Sequence, residues 1–389
     1  MKVLRSGEWW KNADGEVTSP APLESKGAQF ARAFAQQHGA RFGIACTNGS
    51  AALEIALKAI GVGPGDEVIV PPYTFIASST APLNIGAVPI FCDIEQDTFN
   101  LCPQRLEEAI SNRTRAIMPV HFAGAAADME AILCTAKRNG LPVLEDAAHG
   151  HGGSWNGKGL GSLGIAGTFS FQASKNMSAG EGGVITTSDE NLALTCESYV
   201  WGGRVVGRPW YEHHRLGWNY RLTEMQAAIL LEQLRRLEDQ TARRMENGYL
   251  LNRQLGQFGG LSPLRVPDFV TSHPFHIYIL RFDEREFGIS RQAFLEALAC
   301  EGIPCSAGYA HPLYKNPLFL NGDFCAGPAQ RHSANSTDYR CFEELCPNAE
   351  GACRSAIWIE QRVLLGKNED MRDVVDAVAK IWDARAELA

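Results

Sequence analysis

Short apolar segments alternate with segments of helical periodicity along the first half of this 389-residue chain. The segment NGSAALEIALKAIG (48–61) predicts a helix, because its apolar residues recur at a spacing of three or four. Asn48 or Ser50 can cap its beginning, and Gly61 can end it. The segments between helices predict buried strands: GDEVIVPP, AVPIFCDI, RAIMPVHF, LPVLEDAA, GTFSF and GGVITTS. Strands that alternate with helices favour an α/β fold with a doubly wound, mostly parallel sheet.

The second half of the chain follows another pattern. A long helix is predicted over residues 222–255, where Thr223 and Gln226 can form a capping box. Beyond it, FHIYILRF predicts a strand, SRQAFLEALACEG predicts a helix, and residues 369–388 predict a terminal helix. We therefore expect a smaller α+β domain at this end. The predicted division is an N-terminal arm over 1–30, a large domain over 31–250 and a small domain over 251–389.

Composition argues against several classes of protein. The net charge is −8 and no basic stripe is present, so we expect no nucleic-acid partner. No run approaches the ~18 apolar residues of a membrane helix, and a cytoplasmic protein is predicted. The 11 cysteines match no metal-ligand spacing and predict reduced, mostly buried thiols. His149 and His151 are not four residues apart, so no metal site is predicted there either.

Two segments carry polar groups where predicted strands end, the edge at which open parallel sheets bind ligands. TNGS (47–50) begins the first helix, and its small residues and free N–H groups suit a phosphate, although an ordinary capped helix would look the same. VLEDAA (143–148) ends in Glu145 and Asp146, whose side chains point to opposite faces of the strand. One of them should face the cleft and could hold a proton on a basic nitrogen. A helix cap or a loop salt bridge is the alternative.

A third segment, GTFSFQASKNMSAGEGG (167–183), places Ser170 on a strand and Lys175 among small residues. A solvated lysine is the alternative, but the glycines that follow are costly unless the backbone must come close to something. Taken together, a lysine that forms a Schiff base, an acid for a pyridinium nitrogen and a helix N-terminus for a phosphate indicate pyridoxal phosphate.

Competing motifs fit less well. GLGSLG (159–164) matches G-x-G-x-x-G, but it precedes a predicted strand instead of joining a strand to a helix. The sequence contains neither a P-loop G-x-x-x-x-G-K-[ST] nor the G-x-S-x-G motif of serine hydrolases. These patterns therefore predict neither a dinucleotide site nor a nucleophilic serine.

The whole set of motifs resembles the DegT/StrS family of pyridoxal-phosphate aminotransferases, over nearly the full length. The motifs are TNGSAALEIAL, GDEVIVPPYTFIAS, PVHFAGAAADM, EDAAHGHGG, GSLGIAGTFSFQASKNMSAGEGGVITT, GWNYRLTEMQAA and CPNAEGACRSAIWI. The resemblance implies fold type I, the aspartate-aminotransferase-like architecture, with a large cofactor-binding domain and a smaller C-terminal one. It also implies a homodimer with shared active sites.

The resemblance assigns roles to single residues. Lys175 resembles the Schiff-base lysine, Asp146 the partner of the pyridinium nitrogen, and His149 a residue beside the phenolic oxygen of the cofactor. Phe75 matches the aromatic residue that stacks on the pyridine ring. The phosphate contacts correspond to Gly49, Ser50, Ser170 and, reaching into the neighbouring subunit, Asn219.

A narrower resemblance concerns LRSGEWW, HPLYKNPLF and LLGKNEDM, which look like the branch of glutamine:scyllo-inosose aminotransferases and 3-amino-5-hydroxybenzoate synthase. It implies ping-pong transfer of an amino group from L-glutamine or L-glutamate to a cyclic ketone, an inosose or a keto-sugar, with pyridoxamine phosphate as intermediate. An aromatising synthase of the aminohydroxybenzoate type and a non-catalytic DegT-like regulator that binds the cofactor are the alternatives.

Substrate contacts are predicted at four further residues. Arg221 is the candidate for the donor carboxylate, although a salt bridge at the start of the long helix would explain it equally well. Tyr309, His311 and Tyr314, in GYAHPLYK, are candidates for the acceptor pocket, and a packed loop is the alternative.

Overall fold

The computed structural model describes residues 2–7, 9, 25–322 and 337–388. Most of the predicted N-terminal arm therefore lies outside the described residues. Within these ranges, the first half contains nine strands: β1 Phe42–Cys46, β2 Glu67–Val70, β3 Val88–Phe91, β4 Thr114–Ile117, β5 Leu144–Asp146, β6 Ser154–Trp155, β7 Lys158–Gly159, β8 Ala166–Ser170 and β9 Gly183–Thr187.

A mixed sheet forms the centre of this half. Its hydrogen-bonded groups are β3-β2-β4 and β5-β8-β9-β1, and two parallel bridges, Ile117 to Val143 and Val120 to Asp146, connect β4 to β5. The pairs β2–β3, β2–β4 and β5–β8 are parallel, whereas β9 runs antiparallel to both neighbours. The predicted α/β, mostly parallel sheet is confirmed, and β9 is its antiparallel exception.

Both faces of this sheet are covered. Along β2, Val68 and Val70 pack into one apolar cluster and Ile69 packs into another, as alternation along a strand requires. Asn48 caps the first helix of the sheet by accepting a hydrogen bond from the N–H of Ala51. The helices of this half are Lys2–Ser6, Lys26–Gln37, Gly49–Ala59, Ala77–Asn84, Leu106–Ala109, Met129–Arg138 and Glu190–Val200.

The long helix Glu224–Leu255 joins the two halves, and the predicted capping box of Thr223 and Gln226 is present at its start. Among the residues described after it, five strands occur: β10 Leu261–Pro263, β11 Val270–Ser272, β12 Ile277–Phe282, β13 Cys305–Ser306 and β14 Ala356–Glu360. Four of these form an antiparallel sheet in the order β10-β12-β14-β13, and β11 pairs with β6 beside the first half.

Helices cover this second sheet, and their apolar side chains share a core with it, including Leu280, Phe294 and Val378. The predicted division of the chain near residues 30 and 250 stays a prediction. The helices of this half are Glu284–Phe287, Arg291–Cys300, Pro317–Asn321, Phe342–Leu345, Pro347–Ser355, Asn368–Asp383 and Arg385–Leu388.

The cysteines in the described ranges carry free thiols, five of which are buried: Cys46, Cys92, Cys196, Cys346 and Cys353. Within those same ranges, no helix has both the length and the apolar character that crossing a membrane would require.

Candidate active site

A cavity of about 930 Å³ opens where β5 and β8 end, at the carboxyl edge of the central sheet. This is the edge at which open α/β sheets bind ligands. Its volume lies within the range of small-molecule and cofactor sites. Eight of the residues singled out from the sequence line it: Gly49, Ser50, Phe75, Asp146, His149, Ser170, Lys175 and Tyr309.

One end of the cavity is suited to an anion. A Cβ added to Gly49 would lie 2.7 Å from the Cβ of Ser170, so only glycine lets the helix start this close to β8. Among the described residues, the backbone N–H groups of Gly49 and Ser50 have no hydrogen-bond acceptor, since the Asn48 side chain is used by Ala51. The helix dipole adds partial positive charge at this point. The arrangement fits a phosphate group.

Asp146 is the acid that faces the cavity. Its carboxylate accepts hydrogen bonds from the Ser78 hydroxyl at 2.8 Å and from the N–H of Ala148 at 3.2 Å. Burial raises the pKa of Asp146, whereas these hydrogen bonds and the positive charge of Lys175 lower it. A buried carboxylate with no cation hydrogen-bonded to it can stabilise a proton on a ligand nitrogen.

The neighbouring Glu145 points to the opposite face, as alternation along β5 requires. It accepts hydrogen bonds from His121 Nε2 at 2.8 Å and from the N–H groups of Gly161, Leu163 and Gly164, each at 2.7 Å. The GLGSLG segment therefore wraps a carboxylate of the chain itself and then enters β8, so its match to the dinucleotide motif is explained without a ligand.

Lys175 lies in the loop after β8 and is partly buried at the cavity wall. Burial lowers its pKa to about 8, and the nearby negative charge of Asp146 works in the opposite direction. A pKa near 8 leaves a substantial neutral fraction at ordinary pH, so the amine can act as a nucleophile or a base.

His149 is held in one tautomer. Its Nδ1 accepts a hydrogen bond from the N–H of Ala123 at 3.3 Å, so in the neutral ring the proton is on Nε2. Burial, reinforced by the charge of Lys175, lowers the pKa of His149 well below its usual value. The ring therefore stays neutral and can donate one hydrogen bond.

An aromatic side chain is also available to a planar ligand in the cavity. Phe75 is 57% exposed although it lines the cavity, so its ring has a face free for stacking.

Four of the predicted site residues lie outside the cavity of a single chain. Asn219 pairs with Trp201 in an isolated bridge, and Arg221 lies over the ring of Trp201. His311 lies at a surface groove next to Lys315 and Arg340. Their predicted roles stay predictions that require a second subunit or a different arrangement.

Tyr314 is the fourth of these residues, and its predicted role also stays a prediction. The structure buries its ring beside Phe342 and Phe91, and its hydroxyl donates to Glu350 at 2.9 Å instead of lining the cavity. The packed loop, which was the alternative, also accounts for these contacts.

Several cavity residues could not be found from the sequence. His276, at the start of β12, donates from Nδ1 to Asn176 Oδ1 at 3.1 Å, and its ring centroid lies 4.2 Å from that of His149. Trp358 of β14 and Gln361 just after it also line the cavity. They come from the second half of the chain, and no local motif marks them. Ser78 could have been found, because it ends the PYTFIAS segment and lies three residues after Phe75.

The residues present fit pyridoxal phosphate. Unoccupied N–H groups at a glycine-bounded helix start suit the phosphate, and the exposed face of Phe75 suits the ring. The buried Asp146 suits the ring nitrogen, and the partly buried amine of Lys175, whose pKa is lowered, suits the aldehyde.

Comparison with known proteins gives the same assignment. Residues 23–379 match the DegT/DnrJ/EryC1/StrS aminotransferase family. The chain is 37% identical over 403 residues to L-glutamine:2-deoxy-scyllo-inosose aminotransferase from Streptomyces fradiae, covering 100% of this chain and 92% of that protein. It is 40% identical over 348 residues to a pleiotropic regulatory protein from Geobacillus stearothermophilus, covering 88% and 86% of the two chains.

Among solved structures, that of 3-amino-5-hydroxybenzoic acid synthase matches with a TM-score of 0.85 and 35% identity, over 97% of this chain and 94% of that one. This match over nearly the whole of both chains confirms the fold type I architecture. The chain therefore belongs to the DegT/DnrJ/EryC1/StrS aminotransferase family and is a pyridoxal-phosphate-dependent aminotransferase.

Proposed function

We propose that this aminotransferase transfers the amino group of L-glutamine or L-glutamate to a cyclic ketone, an inosose or a related keto-sugar, in aminocyclitol or amino-sugar biosynthesis. The proposal is supported most directly by the meeting of Lys175, Asp146 and the open helix start at Gly49 around one cavity. The names of the relatives supply the substrate classes, since one acts with L-glutamine on 2-deoxy-scyllo-inosose.

When bound, pyridoxal phosphate supplies an aldehyde that takes up the amino group and a ring that accepts the electrons released as the α-carbon loses its proton. The N–H groups of Gly49 and Ser50, with Ser170, would hold the phosphate. Phe75 would stack on the ring, His149 Nε2 would donate to the phenolic oxygen, and Asp146 would keep the ring nitrogen protonated.

Lys175 Nζ is the base that moves a proton to and from the donor α-carbon. It is suited to this because burial brings its pKa to about 8, so a substantial fraction of the amine is neutral and can accept a proton. In the two half-reactions the donor leaves as a 2-oxo acid before the ketone enters, which gives ping-pong kinetics.

Assembly and location are also proposals. We infer a homodimer whose subunits share active sites, with Asn219 reaching the phosphate of the neighbouring subunit. A single chain leaves Asn219 outside its own cavity, which is compatible with this role. We infer a cytoplasmic location from the composition.

The test is a two-stage assay of the protein loaded with pyridoxal phosphate. L-Glutamine or L-glutamate alone should change the cofactor absorbance and release one equivalent of 2-oxo acid per site. The aminated protein is then offered scyllo-inosose, 2-deoxy-scyllo-inosose and keto-sugar nucleotides, and amine products are identified by mass spectrometry. Amination of keto-sugar nucleotides alone would contradict the cyclitol assignment.

A second candidate is a regulator that binds the cofactor without turnover, because one relative is named a pleiotropic regulatory protein. The same assay separates the two functions. A cofactor absorbance that no amino acid alters would favour the regulator.

An aromatising synthase is a third candidate, since 3-amino-5-hydroxybenzoate synthase from Amycolatopsis mediterranei is 35% identical over 97% of this chain. Conversion of an amino-cyclohexenone carboxylate to an aromatic product, with no 2-oxo acid released from glutamine, would support it.

A further inference from the structure

The segment that follows β14 borders the cavity and is held by the long helix. Glu360, Gln361 and Arg362 all line the cavity. Three residues further on, the carbonyl oxygens of Leu364 and Gly366 accept hydrogen bonds from the Asn247 side chain of the helix at 2.9 and 3.0 Å. The position of this cavity wall is therefore set by the helix.

Arg244 lies one helical turn before Asn247 and is an unusual cation. It is 1% exposed, yet within the described part of the chain no carboxylate is paired with it and its Nη1 has no hydrogen-bond partner. Burial lowers its pKa to about 10. A buried guanidinium without a carboxylate is costly, so its charge calls for another compensating group.

The contact that Arg244 makes is with Gln361. Its Nε and Nη2 donate to the same oxygen, Gln361 Oε1, at 3.0 and 2.7 Å. An arginine side chain has only donors, so the atom of Gln361 that faces it must be the oxygen. The amide nitrogen is thereby turned away from Arg244, and among the described residues it has no acceptor. Because Gln361 lines the cavity, its free N–H groups are available to a ligand there.

The guanidinium also strengthens these donors. Two charge-assisted hydrogen bonds withdraw electron density from the amide oxygen, and hydrogen bonds in a chain polarise one another. An anionic oxygen would gain most from such a polarised amide.

Other cations of the cavity are less suited to hold an anion. Arg362 Nε is paired with Glu360 at 2.6 Å, and Lys175 carries the proposed chemistry. Arg221 lies outside the cavity, over Trp201.

We propose that Gln361, oriented and polarised by Arg244, binds the carboxylate of the amino donor and so selects amino acids as donors. The inference rests on the proposed function, since it assumes that the donor is an amino acid. Gln361 would touch the substrate, whereas Arg244 and Asn247 are positioning residues.

The decisive variant is Gln361→Glu. Glutamate has nearly the same shape and would form an ion pair with Arg244, so the fold should keep or raise its Tm. It removes the N–H donors, however, and places negative charge beside the donor carboxylate. In single-turnover half-reactions followed by cofactor absorbance, we expect the apparent Kd for L-glutamine to rise at least about tenfold. The limiting rate should change less than about threefold.

Gln254→Glu, an exposed residue of the same helix as Arg244, is the matched control and should leave both values unchanged. Gln361→Met is the second variant, because it removes the amide without adding charge, and it should also raise the apparent Kd at an unchanged limiting rate.

The outcomes separate this inference from the proposed function. If the unaltered protein reacts with no amino acid, the proposed function fails. If it reacts with L-glutamine and both Gln361 variants bind the donor as tightly, the inference is wrong. A fall in Tm that accompanies weaker binding in both variants would assign Gln361 to holding the fold, which also overturns the inference.

Discussion

Two carboxylates that are neighbours on β5 have opposite surroundings. Glu145 lies on the far face of the strand, where His121 and three backbone N–H groups of the 161–164 loop saturate its oxygens. Asp146 lies on the cavity face, where, in the described part of the chain, only Ser78 and one backbone N–H hydrogen-bond it. The carboxylate on the far face has all its hydrogen bonds from the chain itself, whereas the carboxylate on the cavity face can still accept hydrogen bonds from a ligand.

The difference shows how one strand can serve stability and chemistry at once. A saturated buried carboxylate fixes the loops around it, and removing it should cost folding free energy. An unsaturated one is costly to bury, and it is retained where a ligand completes it. We therefore expect changes on the two faces to separate into effects on stability and effects on activity.

The largest effect should come from Lys175→Ala on the cavity face. Removing the proposed base should lower turnover by at least about a thousandfold. The free energy of unfolding should stay the same or rise, because the desolvation that lowers the pKa of this amine is a cost that the alanine variant does not carry. Lys158→Ala, at an exposed lysine, is the control. Steady-state kinetics and denaturant titration measure both, and near-normal turnover of Lys175→Ala would refute its role.

The comparison itself is tested by Asp146→Asn and Glu145→Gln, which make the same chemical change on the two faces. Asp146→Asn should lower turnover about 100-fold with little change in stability. Glu145→Gln should lower the free energy of unfolding by about 3 kcal/mol, because an amide N–H group would face the donors that now bind the carboxylate. If both variants lost the same activity per folded molecule, the two faces of β5 would not differ in function.

Glycines on the two faces provide a smaller test. In Gly49→Ala the new Cβ would lie 2.7 Å from Ser170, and we expect cofactor affinity to fall about tenfold, since overpacking typically costs 1–3 kcal/mol. In Gly164→Ala the Cβ would lie 2.3 Å from the carbonyl oxygen of Val143, and stability should fall by about 2 kcal/mol instead.

Gly63→Ala, where nothing lies within 4 Å, is the control for both glycine variants. Equilibrium dialysis with pyridoxal phosphate and thermal unfolding separate the two effects. A loss of cofactor affinity in Gly164→Ala that matches that of Gly49→Ala would go against the assignment of faces.

The smallest effect concerns the titration of Lys175 in the cofactor-free protein. Reaction of its amine with an acylating reagent, followed by peptide mass spectrometry, should show a midpoint near pH 8 because burial lowers the pKa. Reactivity rises with pH, since the neutral amine is the nucleophile. Asp146→Asn should move the midpoint lower, because Asp146 raises the pKa of Lys175. A midpoint near 10.5 would mean that the amine is solvated.

The sequence was sufficient for the parts of this site that are encoded locally. Three features have a physical reason that can be recognised in the sequence alone: small residues at a helix start, an acid at a strand end and a lysine among glycines. Alternation predicted that Glu145 and Asp146 face opposite ways, but only the sheet could show which one meets the cavity.

The remaining part depends on long-range contacts. His276, Trp358 and Gln361 reach the cavity from in or beside strands β12 and β14, more than a hundred residues after β5, and nothing in their own segments indicates a site. Tyr314 illustrates the opposite case, in which a loop of aromatic and polar residues looks like a site in the sequence. In the structure its ring packs on Phe342 and its hydroxyl donates a hydrogen bond to Glu350, so packing accounts for its contacts. Strand β1 and the antiparallel direction of β9 were likewise fixed by pairing partners, not by periodicity.

The GLGSLG loop has a consequence for how the protein matures. The anion that this loop binds is the Glu145 carboxylate, which belongs to the adjoining strand. Its effective concentration at the loop is therefore set by the chain and does not depend on the solution. The GLGSLG loop binds Glu145 as soon as the sheet assembles, whereas the helix start at Gly49 binds an anion only when a ligand enters from solution. Binding of the cofactor can therefore be the last step of maturation, after the chain has folded.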